Sequence, residues 1–201
     1  MRYDVDELDE DDELDDEMDE PERSSWRRAA DWILVAAGAV LVALIIRTFL
    51  VQAFWIPSAS MRPTLQEGNR VLVNKMADDL DDLHRGDIIV FERPDEGPVG
   101  SHPEDEITDL IKRVVGLPGD VLESRDGAVY VNDERLDEPY LAPGTLTDHL
   151  DRIEVPDGSV FVMGDNRGNS HDSRAFGPID EGSIVGRAFA RFFPLDDIGG
   201  L

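Results

Sequence analysis

Between Trp32 and Ile46 the chain carries no charged residue, and the run Ile33-Leu34-Val35-Ala36-Ala37-Gly38-Ala39-Val40-Leu41-Val42-Ala43-Leu44-Ile45-Ile46 is apolar throughout. Alone it is shorter than the roughly 20 residues that span a bilayer. Ala29, Ala30 and the stretch from Phe49 to Ile56 extend it, Arg47 can snorkel toward an interface, and Trp32 and Trp55 are placed like interfacial anchors. A buried helix of a water-soluble protein would show a polar face. A cleaved leader would start close to the N-terminus and end in a small-residue cleavage pattern, and none precedes Phe54. The run therefore reads as a retained single-pass transmembrane helix within an anchor over residues 23–53. Arg23, Arg27 and Arg28 flank its N-terminal side, so the positive-inside rule keeps the N-terminus cytoplasmic and sends residues 54–201 across the membrane.

Charge divides the rest. The formal net charge is -26, and residues 1–22 hold fourteen Asp and Glu against Arg2 alone, which is half of the excess. A segment so acidic and so poor in apolar residues repels itself, and it is expected to be a disordered, solvated cytoplasmic tail. Nucleic acid is excluded as a partner by like charge. There is no cysteine, so neither disulfides nor thiolate metal sites are available. His84, His102 and His149 are scattered through polar segments with no metal-ligand spacing, and no cofactor is expected.

Downstream of the anchor two residues stand in unusual local chemistry. Ser60 lies in Ile56-Pro57-Ser58-Ala59-Ser60-Met61-Arg62-Pro63-Thr64-Leu65, a hydroxyl-rich turn restricted by proline on both sides. Lys112 lies in Leu110-Ile111-Lys112-Arg113-Val114-Val115-Gly116-Leu117-Pro118-Gly119-Asp120, a strand-like run that would bury its amine among apolar neighbours. Burial favours a neutral amine, and a neutral amine can take a proton from a serine hydroxyl. A third segment, from Met163 to Arg174, packs glycines, amides, hydroxyls and opposite charges into one polar loop.

With IPSASMRPTL, RGDIIVF, IKRVVGLPGD and GDNRGNSHDSR in this order, the sequence resembles the bacterial type I signal peptidases, membrane-bound Ser-Lys proteases that release signal peptides from exported preproteins. The resemblance implies a mainly β, antiparallel catalytic domain of signal-peptidase/LexA-like type. It implies Ser60 as nucleophile and Lys112 as general base, with the Ser58 hydroxyl and the Ser60 backbone N–H forming the oxyanion hole. Ser170 would orient the lysine amine, and Arg113 with Asp165, and Asp172 with Arg174, would form supporting ion pairs. Phe54, Ile56, Met61, Leu65, Val90, Asp109, Leu110 and Ile111 would line substrate pockets that admit small residues one and three positions before the cut. The implied partners are exported preproteins, the lipid bilayer and a neighbouring secretion translocon. The implied location is the bacterial cell membrane, with the catalytic domain outside.

Ala59 stands where that family often has glycine, Gly168 where it often has aspartate and Leu110 where an aromatic can occur; none of these departures removes a reacting group. A Ser-His variant based on His171 is disfavoured because adjacent residues rarely face each other and Lys112 occupies the base block with its flanks intact. A Ser-Lys autoprotease of the repressor kind is disfavoured by the anchor, and a non-catalytic binding domain by the set Ser60, Lys112 and Ser170.

Alternating and β-branched runs predict strands at Arg70 to Asn74, Asp87 to Phe91, Leu110 to Val115, Asp120 to Glu123, Ala128 to Asn132, Ser159 to Met163 and Ile184 to Phe192. Asp126-Gly127 and Asp157-Gly158 read as hairpin turns. The proline- and glycine-rich stretch from Arg93 to Asp109 reads as a surface loop.

Overall fold

The computed structural model describes residues 22–76, 82–94 and 108–201. The expected acidic tail and most of the expected loop between Arg93 and Asp109 lie outside the described residues. Two compact units, Met1–Ala43 and Leu44–Leu201, make up the chain.

Helix α1 runs over Glu22–Phe49, 28 residues. Alanine and leucine favour it, and each described side chain from 29 to 44 is exposed, including Trp32, Ile33, Leu34 and Leu41. Among the described residues no helix is long and apolar enough to cross a membrane. The stretch after Phe49, expected to lengthen the anchor, is instead β1 (Val51–Trp55), because Val51 to Trp55 pair antiparallel with Asn74 to Arg70 of β2 (Arg70–Asn74).

The remaining strands are β3 (Ile88–Glu92), β4 (Asp109–Gly116), β5 (Val121–Arg125), β6 (Ala128–Val131), β7 (Glu134–Arg135), β8 (Ile153–Glu154), β9 (Ser159–Met163), β10 (Ile179–Asp180), β11 (Ile184–Phe193) and β12 (Gly199–Gly200). One further short helix, α2 (Ser173–Phe176), precedes β10. The main sheet has the order β1-β2-β11-β3-β4-β9-β10, with β12 on β11, and a second sheet has the order β7-β6-β5-β8. Among the described residues every pairing is antiparallel, and the region after α1 is mainly β.

Strand β3 shows how the core is built. Ile88 and Val90 enter a cluster with Ile56, Met61, Leu65, Val71 and Val73, while Ile89 and Phe91 enter another with Val114, Val160 and Val162. Successive side chains point to opposite faces, so a strand covered on both sides reads as a continuous apolar run. A third cluster, including Val115, Leu122, Val129, Phe161 and Met163, joins the two sheets.

The Asp126-Gly127 turn closes the β5–β6 hairpin with positive φ at both residues, 51° and 76°. Asp157-Gly158 differs from expectation. It is a turn, but it leads from β8 in the second sheet to β9 in the main sheet, and those strands do not pair with each other. Turn chemistry is local, whereas the choice of partner strand depends on which faces become buried.

Candidate active site

Ser60 sits in the single helical turn Ala59–Met61, where the Arg62 N–H donates to the Ala59 carbonyl at 3.1 Å. The turn is packed from below by Met61 and Leu65, both fully buried. It is also held from the far end of the chain. The Asn166 N–H donates to the Ser60 carbonyl at 2.9 Å, and Asn166 Nδ2 donates to the Ala59 carbonyl at 3.1 Å.

Strand β4 delivers the lysine. Its alternation sends Lys112 and Arg113 to opposite faces. Lys112 is 3% exposed, and its Nζ donates to Ser60 Oγ at 3.0 Å and to the Ile111 carbonyl at 3.0 Å. Ser58 Oγ stands 3.2 Å from Ser60 Oγ. Arg113 turns the other way, placing Nε 2.8 Å from Asp165 Oδ1 and Nη2 2.7 Å from Asp165 Oδ2, a two-pronged buried pair. Thr64 Oγ1 donates to the same carboxylate at 2.5 Å, tying the serine loop to this pair.

The polar loop between β9 and α2 closes the site. Asp172 caps α2 and binds Arg174 through two hydrogen bonds of 2.8 Å, while the Gly164 N–H donates to Asp172 Oδ2 at 3.1 Å. Burial pushes the Asp172 carboxyl up, but the bonds and charge of Arg174, with Gly164 and Ser170, outweigh it and hold the group below the usual carboxylate range. The Ser170 hydroxyl oxygen is buried and makes no well-formed hydrogen bond, so the expected bond to the lysine amine is not formed here.

A cleft of about 560 Å³ opens over these groups, and Ser58, Ser60, Lys112, Ser170 and His171 lie on its walls. Asp109, Leu110 and Ile111 line it as well. Ile56, Met61, Leu65 and Val90, at most 1% exposed, lie with Phe54 in the core cluster that Ile111 joins, and are absent from the cleft wall. Asp109 is held above the usual carboxylate range by partial burial and then by the charge of Glu92, its cross-strand neighbour. Strand β9 pairs only with Arg113, Val114 and Gly116 of β4. Among the described residues, then, the cleft side of β4 from Asp109 to Lys112 has no strand beside it.

Two features escaped the sequence reading. Gly164 is in the polar loop but was given no role, and a Cβ there would stand 2.2 Å from Ser170 Oγ and 2.5 Å from the Ser60 carbonyl oxygen. Glu138 lies outside all four motif blocks, yet it pairs with the fully buried guanidinium of Arg167. The motif itself pointed to the first; nothing local distinguished the second among the chain's 45 acidic residues. Among the described residues no three His, Cys, Asp or Glu side chains gather as metal ligands would.

Residues 29–193 match the family described as signal peptidase, peptidase S26. A probable signal peptidase I-2 of a Synechocystis species is 38% identical over 89% of this chain and 78% of its own. A signal peptidase I of Leptolyngbya laminosa is 41% identical over 81% of this chain and 79% of its own. Another, from Bacillus amyloliquefaciens, is 35% identical over 89% of this chain and 96% of its own.

Proposed function

Because the chain belongs to the signal peptidase family, peptidase S26, we propose that it is a membrane-anchored signal peptidase I of the bacterial cell membrane. It cuts signal peptides from exported preproteins by acyl transfer. The observation that carries this reading is the 3.0 Å line between Lys112 Nζ and Ser60 Oγ, made by residues 52 positions apart. Lys112 sits in an almost waterless position, which favours its neutral amine.

The neutral amine takes the Ser60 proton as Oγ attacks the scissile carbonyl. The Ser58 hydroxyl and the Ser60 N–H stabilise the oxyanion, and the lysine, now an ammonium, returns its proton to the departing amine. Water then attacks the Ser60 ester. Lys112 takes a proton from that water and returns it to Ser60, releasing the signal peptide as a carboxylic acid. Ser170 lines the same cleft as Lys112 and would orient the amine by turning its hydroxyl toward it when substrate binds, and the pairs Arg113–Asp165 and Asp172–Arg174 hold the two loops that meet at the dyad.

The cleft side of β4 over residues 109–111, which no described strand covers, offers backbone groups to a substrate lying extended beside it, so alternate side chains point into the site. Small residues one and three positions before the cut fit walls formed by Leu110 and Ile111 with Ile56, Met61, Leu65, Val90 and Phe54 behind them. Asp109 lies farther along the same strand.

The proposed membrane anchor is the apolar part of residues 23–49, before β1 begins. The support for this anchor is the uncharged apolar run from Trp32 to Ile46 with Arg23, Arg27 and Arg28 on its N-terminal side. Residues 1–22 form the cytoplasmic tail and residues 54–201 the outer catalytic domain, within reach of the translocon that supplies its substrates.

The test is cleavage of a peptide with alanine at both specificity positions by the full chain in detergent. Wild type should cut after the second alanine, and Ser60→Ala and Lys112→Met should each lose at least about 10³-fold in kcat. Turnover in Ser60→Ala, or efficient cutting with phenylalanine or lysine just before the cut, refutes the proposal.

A further inference from the structure

None of the four motif blocks contains Glu138, yet its carboxylate leads to the catalytic loop in two steps. Arg167 Nη2 reaches Glu138 Oε1 at 2.5 Å and Nη1 reaches Oε2 at 3.2 Å. The same guanidinium donates through Nη1 to Thr147 Oγ1 at 2.6 Å and through Nε to the Gly164 carbonyl at 3.1 Å. We infer that Glu138 is a positioning residue for peptide cleavage: through Arg167 it fixes the Gly164 peptide against which Ser60 and Ser170 pack. The inference rests on the Ser60–Lys112 reading above.

The Gly164 peptide units are gripped by two side chains. The N–H is held by Asp172, itself bound to Arg174, and the carbonyl is held by Arg167, itself bound to Glu138 and Thr147. There is no slack in what lies beneath, since an added Cβ would meet Ser170 Oγ at 2.2 Å and the Ser60 carbonyl oxygen at 2.5 Å. A shift of a few tenths of an ångström at Gly164 is therefore passed to the nucleophile's turn and to Ser170. Reacting groups tolerate such shifts poorly.

The grip comes from the second sheet. Glu138 and Thr147 belong to a strap over residues 136–147 that is tied at both ends to the β5–β6 hairpin: the Leu136 N–H donates to the Val129 carbonyl at 2.9 Å and the Thr147 N–H to the Gly127 carbonyl at 2.9 Å. Tyr140 of the same strap donates to Glu138 Oε1 at 2.9 Å and lays its ring under the Arg113 guanidinium at 4.0 Å. One short segment thus braces Arg113 and Arg167, the cations that organise the two sides of the polar loop. The Arg167 side chain is wholly buried and that of Glu138 is 8% exposed, so removing the carboxylate leaves a buried cation without its ion partner.

The test compares wild type, Glu138→Ala, Glu138→Gln and Ser60→Ala as full chains in detergent. It measures kcat and KM per folded molecule, together with amide hydrogen exchange. In Glu138→Ala, kcat should fall at least about tenfold with KM within about twofold, which is a barrier rise of about 1.4 kcal/mol. Exchange should quicken over residues 164–170 while β3 and β9 stay protected. Glu138→Gln keeps an acceptor for Arg167 and Tyr140, so it should recover part of the rate, and it carries the test if the alanine variant does not fold.

An unchanged kcat per folded molecule, or exchange that rises equally in β3 and β9, overturns the inference and leaves Glu138 with a purely structural part. If wild type shows no Ser60-dependent cleavage, the functional reading itself falls. The exchange arm then decides alone: selective loss of protection over 164–170 supports the strap, and unchanged protection there overturns it.

Discussion

Gly164→Ala adds one methyl group at the most crowded point of the site. The backbone of Gly164 is not in the left-handed region, so alanine costs nothing in conformation there and the whole effect is steric. Bringing the new carbon to an ordinary 3.4 Å contact requires the Ser60 carbonyl oxygen to retreat by about 0.9 Å from 2.5 Å, and Ser170 Oγ by about 1.2 Å from 2.2 Å. The hydroxyl can rotate. The carbonyl is backbone, bonded to the Asn166 N–H at 2.9 Å, and it cannot move without carrying the Ser60 turn with it. A displacement near 1 Å at a reacting group costs roughly 10²-fold in rate, or about 2.7 kcal/mol of barrier. Overpacking lowers stability by about 1–3 kcal/mol, a Tm loss of roughly 2–12 °C for a domain of this size. Cleavage of the alanine peptide and thermal unfolding followed by circular dichroism read the two effects separately. A Gly164→Ala enzyme that folds and keeps kcat within about threefold of wild type would refute the crowding argument.

Two further outcomes follow from the same geometry. Arg174 holds the Asp172 carboxyl below its ordinary value of 3.8 despite burial, so its stabilising contribution is full above that value and is lost as pH falls through the folded value. The Tm difference between wild type and Asp172→Asn should be widest near neutrality and shrink below about pH 4; a difference that stays constant from pH 7 to pH 3 removes the ion pair as its source. For topology, external protease on intact spheroplasts should clip the β domain and spare residues 1–22, and clipping of the tail instead reverses the proposed orientation.

The strands that can be read from the sequence are those whose side chains carry the signal. Arg70–Asn74 and Ser159–Met163 have the expected bounds because Val71 and Val73, and Val160, Phe161 and Val162, occupy their centres, with Gly68-Asn69 before the first and Gly158 and Gly164 on either side of the second. Four strands escaped because two residues cannot show a period: Glu134–Arg135, Ile153–Glu154, Ile179–Asp180 and Gly199–Gly200. Val51–Trp55 escaped for the opposite reason. It continues an apolar run, and composition does not tell a helix from a strand there; five paired residues of β2 make the distinction.

The site divides along a similar line. Ser60 and Lys112 stand in segments whose neighbours are chemically odd, Arg113 lies in the lysine block and Asp165 in the polar loop, so the residues could be named before the 52-residue separations were closed by folding. Glu138 has no such setting. It is one acid in a chain of 45, in a loop flanked by Asp137 and Pro139, and local sequence gives it the appearance of a solvated surface charge. What separates it from those charges is a partner 29 residues away whose guanidinium has no access to water. The cost of leaving that guanidinium unpaired depends on burial, and burial comes from packing the second sheet against the first. In so acidic a chain, the carboxylates that matter to the site are therefore distinguished by the cation each one neutralises in the interior, and for Glu138, unlike Asp165 and Asp172, only the fold supplies that pairing.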